Sequence, residues 1–255
     1  MKKLFKSFFR QFGFNIYKID TANPLNLDGK IYCLNFYSNL KKLKFKPKHI
    51  VDVGANHGKW TREILPYFPD SHYTLLEPQH WLKNSFIDIL ENNPKVHFHP
   101  VGAGEKEGSY LFTVDESDTS SSFRYTESEA QAAGFKQVEI PVVTLNNLLS
   151  NNNLPVPDLI KIDAEGLDIE VLKGASDFFG KTEIFMVEAS VVYKLFNNSF
   201  LNVINFMDEQ GYKLFEITDM NRPVNVKVLW LVELVFVLKG GYIDSQEIDY
   251  YQPNA

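Results

Sequence analysis

The sequence predicts an α/β fold in which helices cover both faces of a mostly parallel sheet. The first observation is the apolar run at residues 49–53, typical of an inner parallel strand, which enters a turn containing Gly54 and Gly58. The second is the alternation of short apolar runs with helical patterns from residue 49 onward. The third is size, because 255 residues with 44% hydrophobic content suffice for one such domain and an extension.

The order of the elements follows from the apolar runs and from the polar, glycine and proline breaks between them. Strands are predicted at residues 49–53, 73–76, 96–101, 110–114, 138–143, 158–163, 183–188, 213–217 and 233–239. Helices are predicted at residues 59–68, 81–92, 144–150, 167–174 and 200–210. The last two strands are expected to pair antiparallel around a loop that contains Arg222.

Residues 115–137 form a polar, serine-rich stretch with one short predicted helix. A loop of this length inside a compact domain is usually functional or disordered. We favour a lid that faces the substrate, with Arg124 and Tyr125 as candidates to bind an anionic or sugar group.

Residues 1–48 are predicted to form a basic, helical N-terminal extension, and residues 49–255 the main domain. The first 50 residues contain 11 lysines and arginines against two aspartates, a net charge of +9, which leaves −15 for the rest. Residues 3–12 place five apolar side chains on one helical face. Two interpretations stay open: this helix packs on the main domain or on a second copy in a homodimer, or it rests on an anionic membrane surface. The acidic remainder disfavours a nucleic-acid partner.

The composition predicts a cytoplasmic protein, with peripheral contact to the inner face of a membrane as an open option. Lys6 and Arg10 interrupt what would be the apolar core of a secretory signal. The longest strongly apolar run, at residues 228–238, contains Glu233 and is too short to span a bilayer. Cys33 is the only cysteine, which excludes an intrachain disulfide and indicates a reducing compartment.

The turn after the first strand also indicates which nucleotide binds. A dinucleotide turn reads G-x-G-x-x-G and holds a pyrophosphate, whereas this turn places Asp52 two residues before Gly54. A carboxylate repels a pyrophosphate but attracts an ammonium or a sulfonium, and S-adenosylmethionine carries both cations. Glu77 closes the second strand about 20 residues later and can accept both ribose hydroxyl protons. Together these residues favour S-adenosylmethionine over NAD.

Three acids end strands at the edge where ligands bind in such sheets. For Asp163 and Glu165 three roles stay open: contact with the methionine end of the cofactor, general base toward a hydroxyl, or metal ligand. The alternative for Glu165 is that it only caps the following helix. Glu188 ends the fifth strand of this alternation and is a candidate for substrate contact. A divalent cation such as magnesium is possible but not favoured, and no Cys/His cluster has zinc-ligand spacing.

Several motifs stand in a defined order: VDVGANHG at residues 51–58, Glu77-Pro78, LIKIDAEG at residues 159–166 and VLKGA at residues 171–175. In this order they resemble the FkbM family of S-adenosylmethionine-dependent methyltransferases. The resemblance implies a class I, Rossmann-like fold with a seven-stranded, mostly parallel sheet whose last strand is antiparallel. This chain departs from the family pattern at Ala164 and at Asn146-Asn147, which removes acids near the expected lid.

The resemblance further implies O-methylation of a hydroxyl, most often on a sugar in a glycan, glycolipid or polysaccharide. The residues then expected to bind the cofactor are Asp52, Gly54, Ala55, Asn56, Gly58, Glu77, Pro78, Val101, Gly102 and Asp163. The residues expected to be catalytic are Asp163, Glu165 and Glu188.

Other functions were weighed against this one. A tailoring O-methyltransferase for a small natural product is the nearest alternative, and a non-catalytic nucleotide-binding or scaffold protein is a different class. An NAD-linked oxidoreductase is disfavoured by the turn at Asp52. Methylation of nucleic acid is disfavoured because the chain lacks an Asn-Pro-Pro-Tyr-type motif for a flipped base.

Overall fold

A seven-stranded sheet forms the centre of the protein. The structure, a computed structural model, describes residues 29–115, 120–151, 154–192, 198–223 and 227–246. Its strands are β1 His49–Val53, β2 His72–Leu76, β3 Val96–His99, β4 Gly102–Ala103, β5 Gly108–Val114, β6 Lys136–Val143, β7 Leu159–Ile162, β8 Ile184–Ser190, β9 Tyr212–Asn221 and β10 Leu231–Leu238. The central sheet has the spatial order β3-β2-β1-β7-β8-β10-β9, and β4, β6 and β5 form a smaller sheet beside it.

The strand directions confirm the predicted fold class. In the central sheet the neighbouring pairs β3–β2, β2–β1, β1–β7 and β7–β8 are parallel. β10 runs antiparallel to both β8 and β9. The carboxyl ends of β1, β2, β7 and β8 therefore meet at one edge of the sheet, where ligands bind in open α/β sheets.

The helices of the described residues largely follow the apolar periodicity of the sequence. They are α1 Gly29–Lys42, α2 Lys59–Ile64, α3 Ile87–Asn92, α4 Glu127–Ala133, α5 Leu145–Asn151, α6 Asp168–Lys173 and α7 Phe200–Glu209, with 3₁₀ helices at His80–Phe86 and Ser176–Phe178. The helix predicted at 59–68 ends early, because Pro66 has no backbone N–H to continue it and Tyr67 donates to the carbonyl of Ile64 in a tighter turn. The helix predicted at 81–92 is divided into a 3₁₀ helix and α3.

The strand predicted at residues 96–101 is also divided. β3 ends at His99, because Pro100 has no backbone N–H to continue the ladder. The chain then enters the smaller sheet, where Gly102 and Ala103 pair with Val142 and Val143. The single predicted strand therefore belongs to two sheets.

Two hydrophobic clusters pack on opposite faces of the central sheet. Successive residues of β1 alternate between them, with Ile50 in one cluster and Val51 in the other, as the two-residue period of a strand requires. Phe36, Tyr37 and Leu40 of α1 are buried in the same cluster as Ile50. Residues of α1 therefore belong to the folded core of the domain.

The N-terminal helix predicted at residues 3–12 lies outside the described residues. Among the residues that the structure does describe, no helix combines the length and the hydropathy needed to cross a membrane.

Candidate active site

A pocket of about 660 Å³, including the part open to solvent, lies at the carboxyl ends of β1, β2 and β7. It contains seven of the residues predicted to bind the cofactor, Gly54, Asn56, Glu77, Pro78, Val101, Gly102 and Asp163. The predicted catalytic residues Asp163 and Glu165 line the same pocket. The structure thus brings together residues that are up to 111 positions apart in the chain.

The glycine turn fits closely against β7. Gly54 has a φ of +75°, and a Cβ at this position would lie 1.9 Å from the carbonyl oxygen of Asp163. Only glycine avoids that overlap, so the ends of β1 and β7 come into direct backbone contact. Gly58 has a φ of +73° and packs on Phe86, where a Cβ would lie 2.9 Å from the ring. Gly58 therefore shapes the turn and packs it against the helical layer.

Glu77 is held as a fixed acceptor in the pocket. Glu77 is only 2% exposed to solvent. Oε2 accepts the backbone N–H of Asn56 at 2.6 Å, and Oε1 accepts that of Gln79 at 2.9 Å. Burial raises the pKa of Glu77, and the two N–H groups act in the opposite direction by stabilising the carboxylate. This arrangement orients the carboxylate toward the space above β1 and β2.

Asp52 has internal partners in the structure. The residue is fully buried, its Oδ2 accepts the Thr61 hydroxyl at 2.6 Å, and its Oδ1 lies 3.5 Å from Nζ of Lys161. Burial raises the pKa of Asp52, and Lys161 is the strongest opposing influence. Direct contact between Asp52 and the cofactor stays a prediction.

Lys161 is a site residue that the sequence reasoning missed. The residue is 4% exposed, and its Nζ donates to Oδ2 of Asp163 at 3.1 Å while facing Asp52. Burial alone would lower the pKa of Lys161, but the charges of Asp163, Asp52 and Glu233 outweigh it and raise the pKa. A lysine inside an apolar strand, between Ile160 and Ile162, was the signal that could have identified it.

A group of carboxyls with raised pKa values lies after β7 and near the carboxyl end of β8, which continues to Ser190 and so does not end at Glu188 as predicted. Burial, and then the charges of Asp163 and Asp168, raise the pKa of Glu165 to about 8, whereas Arg124 and Lys161 act to lower it. Burial raises the pKa of Asp168 to about 7. Glu188 is affected in the same direction, by burial and then by the charges of Asp163, Asp168 and Glu165.

The hydrogen bonds distinguish Asp168, which the backbone and Asn198 hold in place, from Glu188. Asp168 accepts the backbone N–H groups of Ala164 at 2.8 Å and Gly166 at 3.2 Å, and the amide of Asn198 at 2.5 Å. The N-terminus of α6 has no side-chain cap, so the capping role considered for Glu165 is not observed. Glu188 keeps one shielded oxygen, Oε2, without a hydrogen-bond partner among the described residues.

A second pocket, of about 780 Å³ with its solvent-open part, adjoins the first. The two share Gly54, Asn56 and Asp163, and the second is also lined by Ala55, which was predicted to contact the cofactor. Both signs of charge line it, from Lys59, Lys161, Glu63, Asp219 and Glu233. The indole Nε1 of Trp60 is buried in this region and has no hydrogen-bond partner within the described part of the chain.

Metal binding was left open by the sequence. In the described part of the chain, no group of three or more histidine, cysteine, aspartate or glutamate side chains is arranged to hold a metal ion.

The strand order and directions are those of the Rossmann-like fold of class I methyltransferases. A sequence profile described as the methyltransferase FkbM domain matches residues 52–214. This match covers more than half of the chain, and the protein belongs to the FkbM methyltransferase family.

The chain is also similar to individual proteins. Methyltransferase 1 of Beauveria bassiana (strain ARSEF 2860) is 28% identical over 145 residues, which is 50% of this chain and 58% of that protein, so the match spans little more than half of the relative.

Among solved structures, precorrin-6y C5,15-methyltransferase of Geobacter metallireducens GS-15 matches with a TM-score of 0.45 and 13% identity, covering 82% of this chain and 86% of that one. The 1,6-didemethyltoxoflavin-N1-methyltransferase of Burkholderia thailandensis has a TM-score of 0.43 at 10% identity, covering 93% and 88%.

Proposed function

We propose that the protein transfers a methyl group from S-adenosylmethionine to a hydroxyl group of a sugar in a glycan, glycolipid or polysaccharide. The observation that carries this proposal is the group of carboxyls at the carboxyl ends of β7 and β8. Burial and neighbouring acids raise the pKa of Glu165 in this group to about 8. A base of that kind suits a hydroxyl acceptor, which must lose its proton during or after the transfer.

The two adjoining pockets suit the two ends of the cofactor. In the proposed arrangement the adenosine lies in the first pocket and the amino-acid end extends into the second. Glu77 retains acceptor capacity for a ribose hydroxyl, because a carboxylate can accept about four hydrogen bonds. The unpartnered Nε1 of Trp60 and the ammonium of Lys59 are suitable donors to a carboxylate. When bound, S-adenosylmethionine supplies a methyl group on a sulfonium, which is a good electrophile.

Asp163 and Glu165 receive different roles in this proposal. Asp163 accepts a hydrogen bond from the buried ammonium of Lys161, so one of its oxygens is already engaged. Among the described residues Glu165 forms no such ion pair, although Arg124 and Lys161 act on it from further away, and Asp163, Asp168 and Glu188 are its acidic neighbours. We therefore assign Glu165 as the general base and Asp163 as a partner for the ammonium of the cofactor.

The acceptor class is supported by the same carboxyls. Vicinal hydroxyls of a sugar are donors that pair well with carboxylate oxygens, and Glu188 Oε2 is such an oxygen, with no partner among the residues that the structure describes. Glu165 and Glu188 could thus hold neighbouring hydroxyls, with the base on the one that is methylated.

A labelled-methyl assay tests this function. The protein is incubated with methyl-labelled S-adenosylmethionine and matched acceptors that carry a hydroxyl, an amine or a thiol, with magnesium and with a chelator. We expect base-stable methyl ethers on sugar acceptors. Transfer only to amines or thiols contradicts the proposal, and cofactor binding without transfer to any hydroxyl acceptor favours the scaffold alternative.

Glu77→Gln is expected to weaken binding of S-adenosylhomocysteine by about ten- to a hundredfold. An amide presents one oxygen and one NH₂ group, so it cannot accept both the Asn56 and the Gln79 N–H groups and also a ribose hydroxyl. Isothermal titration calorimetry measures the effect, with Glu91→Gln on the exposed side of α3 as the matched control. Equal affinities for the two variants would remove Glu77 from the site.

A further inference from the structure

Ser122 places a buried hydroxyl in the first pocket. The residue is 3% exposed, lines the pocket, and its Oγ has no hydrogen-bond partner among the described residues. Its backbone is fixed, because its N–H donates to the carbonyl of Thr113 at 3.0 Å and its own carbonyl accepts the Thr113 N–H at 2.8 Å. A buried hydroxyl that lacks a partner is unusual in a folded protein and calls for a ligand or another explanation.

The neighbouring serine does not share this property. Oγ of Ser121 accepts the backbone N–H of Asp115 at 3.0 Å, so its side chain holds the loop together. Ser120, the next residue back, is exposed to solvent. Of these three serines, Ser122 alone offers a buried and unused hydroxyl to the pocket.

The surroundings of Ser122 suit a flat heterocycle. Phe112 and Phe123 line the same pocket and meet edge to face, with ring centroids 4.8 Å apart. Phe123 lies against Gly102, where a Cβ would come within 2.7 Å of the ring. Val101 completes this apolar side of the pocket. An aromatic wall with a single polar atom matches a planar ring that has hydrogen-bonding groups along its edge.

We propose that the Ser122 hydroxyl hydrogen-bonds the edge of the adenine ring of the cofactor and contributes to selection of that base. The inference rests on the proposed placement of adenosine in the first pocket. A serine hydroxyl can both donate and accept, so it can pair with a ring nitrogen or with the 6-amino group. Adenine recognition then comes from the segment that pairs with β5, outside the central sheet that holds the ribose acceptor Glu77.

The first test measures calorimetric binding of S-adenosylhomocysteine to the wild type, Ser122→Ala and the control Ser120→Ala. We expect about tenfold weaker binding for Ser122→Ala and no change for Ser120→Ala. If Ser122→Ala fails to fold, judged by its melting curve, Ser122→Cys is measured instead, since a thiol is a weak donor in similar volume. Affinity equal to that of the wild type overturns the assignment of Ser122.

The second test identifies the contact by using analogues of S-adenosylhomocysteine that lack the 6-amino group, N1, N3 or N7. The loss caused by Ser122→Ala should disappear for at least one analogue, because the hydroxyl's partner is then already absent. An equal loss with every analogue indicates a structural effect and overturns the proposal. Wild-type protein that binds no S-adenosylhomocysteine contradicts the proposed cofactor site itself, which separates that failure from a failure of Ser122 alone.

Discussion

Glu165→Gln is expected to slow methyl transfer by about 10²- to 10⁴-fold while leaving cofactor affinity nearly unchanged. The glutamine amide keeps the size of the side chain but cannot take up a proton. The measurement is single-turnover transfer to a hydroxyl acceptor, with calorimetry for the cofactor. Glu127→Gln on exposed α4 is the matched control and should behave as the wild type.

The pH dependence of transfer gives the same prediction an independent readout. Burial, and then the charges of Asp163 and Asp168, raise the pKa of Glu165 to about 8, and Arg124 and Lys161 oppose them. Below that pH the carboxyl holds a proton and cannot act as a base, so the rate should rise as the pH increases through about 8. The rise should be absent in Glu165→Gln. An unchanged rate and profile would transfer the role of base to Asp163 or Glu188.

Lys161→Met should destabilise the fold by about 3–5 kcal/mol. The change removes the cation that faces fully buried Asp52 and leaves that carboxylate without a compensating charge. Urea unfolding of the wild type and of Lys161→Met measures the difference in their free energies of unfolding. Lys173→Met is the matched control, because its ion pair with Glu105 is exposed on both sides and should contribute only about 0–1 kcal/mol.

A double variant separates loss of the ion pair from loss of packing. Asp52→Asn combined with Lys161→Met removes both charges, so it should recover much of the stability lost in Lys161→Met alone. If the two effects simply add, Lys161 does not compensate Asp52, and the reason for its burial lies with Asp163 or Glu233.

Much of the fold could be predicted because its signals are local. The apolar run of β1, the glycines of the turn and the acids near the carboxyl ends of β2, β7 and β8 are each visible within a few residues. The rule that parallel strands expose their carboxyl ends at one edge then brings Gly54, Glu77 and Asp163 together without further information.

The missed parts of the site depend on pairings across the chain. Asp52 and Lys161 are register partners on β1 and β7, so their ion pair follows from an alignment that local pattern does not contain. Ser122 and Phe123 reach the pocket because Ser122 pairs with Thr113 beside the smaller sheet. The sequence shows only a polar, serine-rich stretch there. That pattern predicts a lid, but it does not predict that residues of this stretch line the pocket. Whether residues 115–137 move as a lid stays a prediction.

β10 follows β8 and β9 in the chain but lies between them in the sheet. During synthesis on the ribosome, β8 and β9 therefore emerge before the strand that joins them exists. Until residues 231–238 have been made, the apolar edge of β8 has no neighbour on that side and is exposed to other chains. The growing polypeptide thus passes through a period of aggregation risk that ends only when β10 inserts.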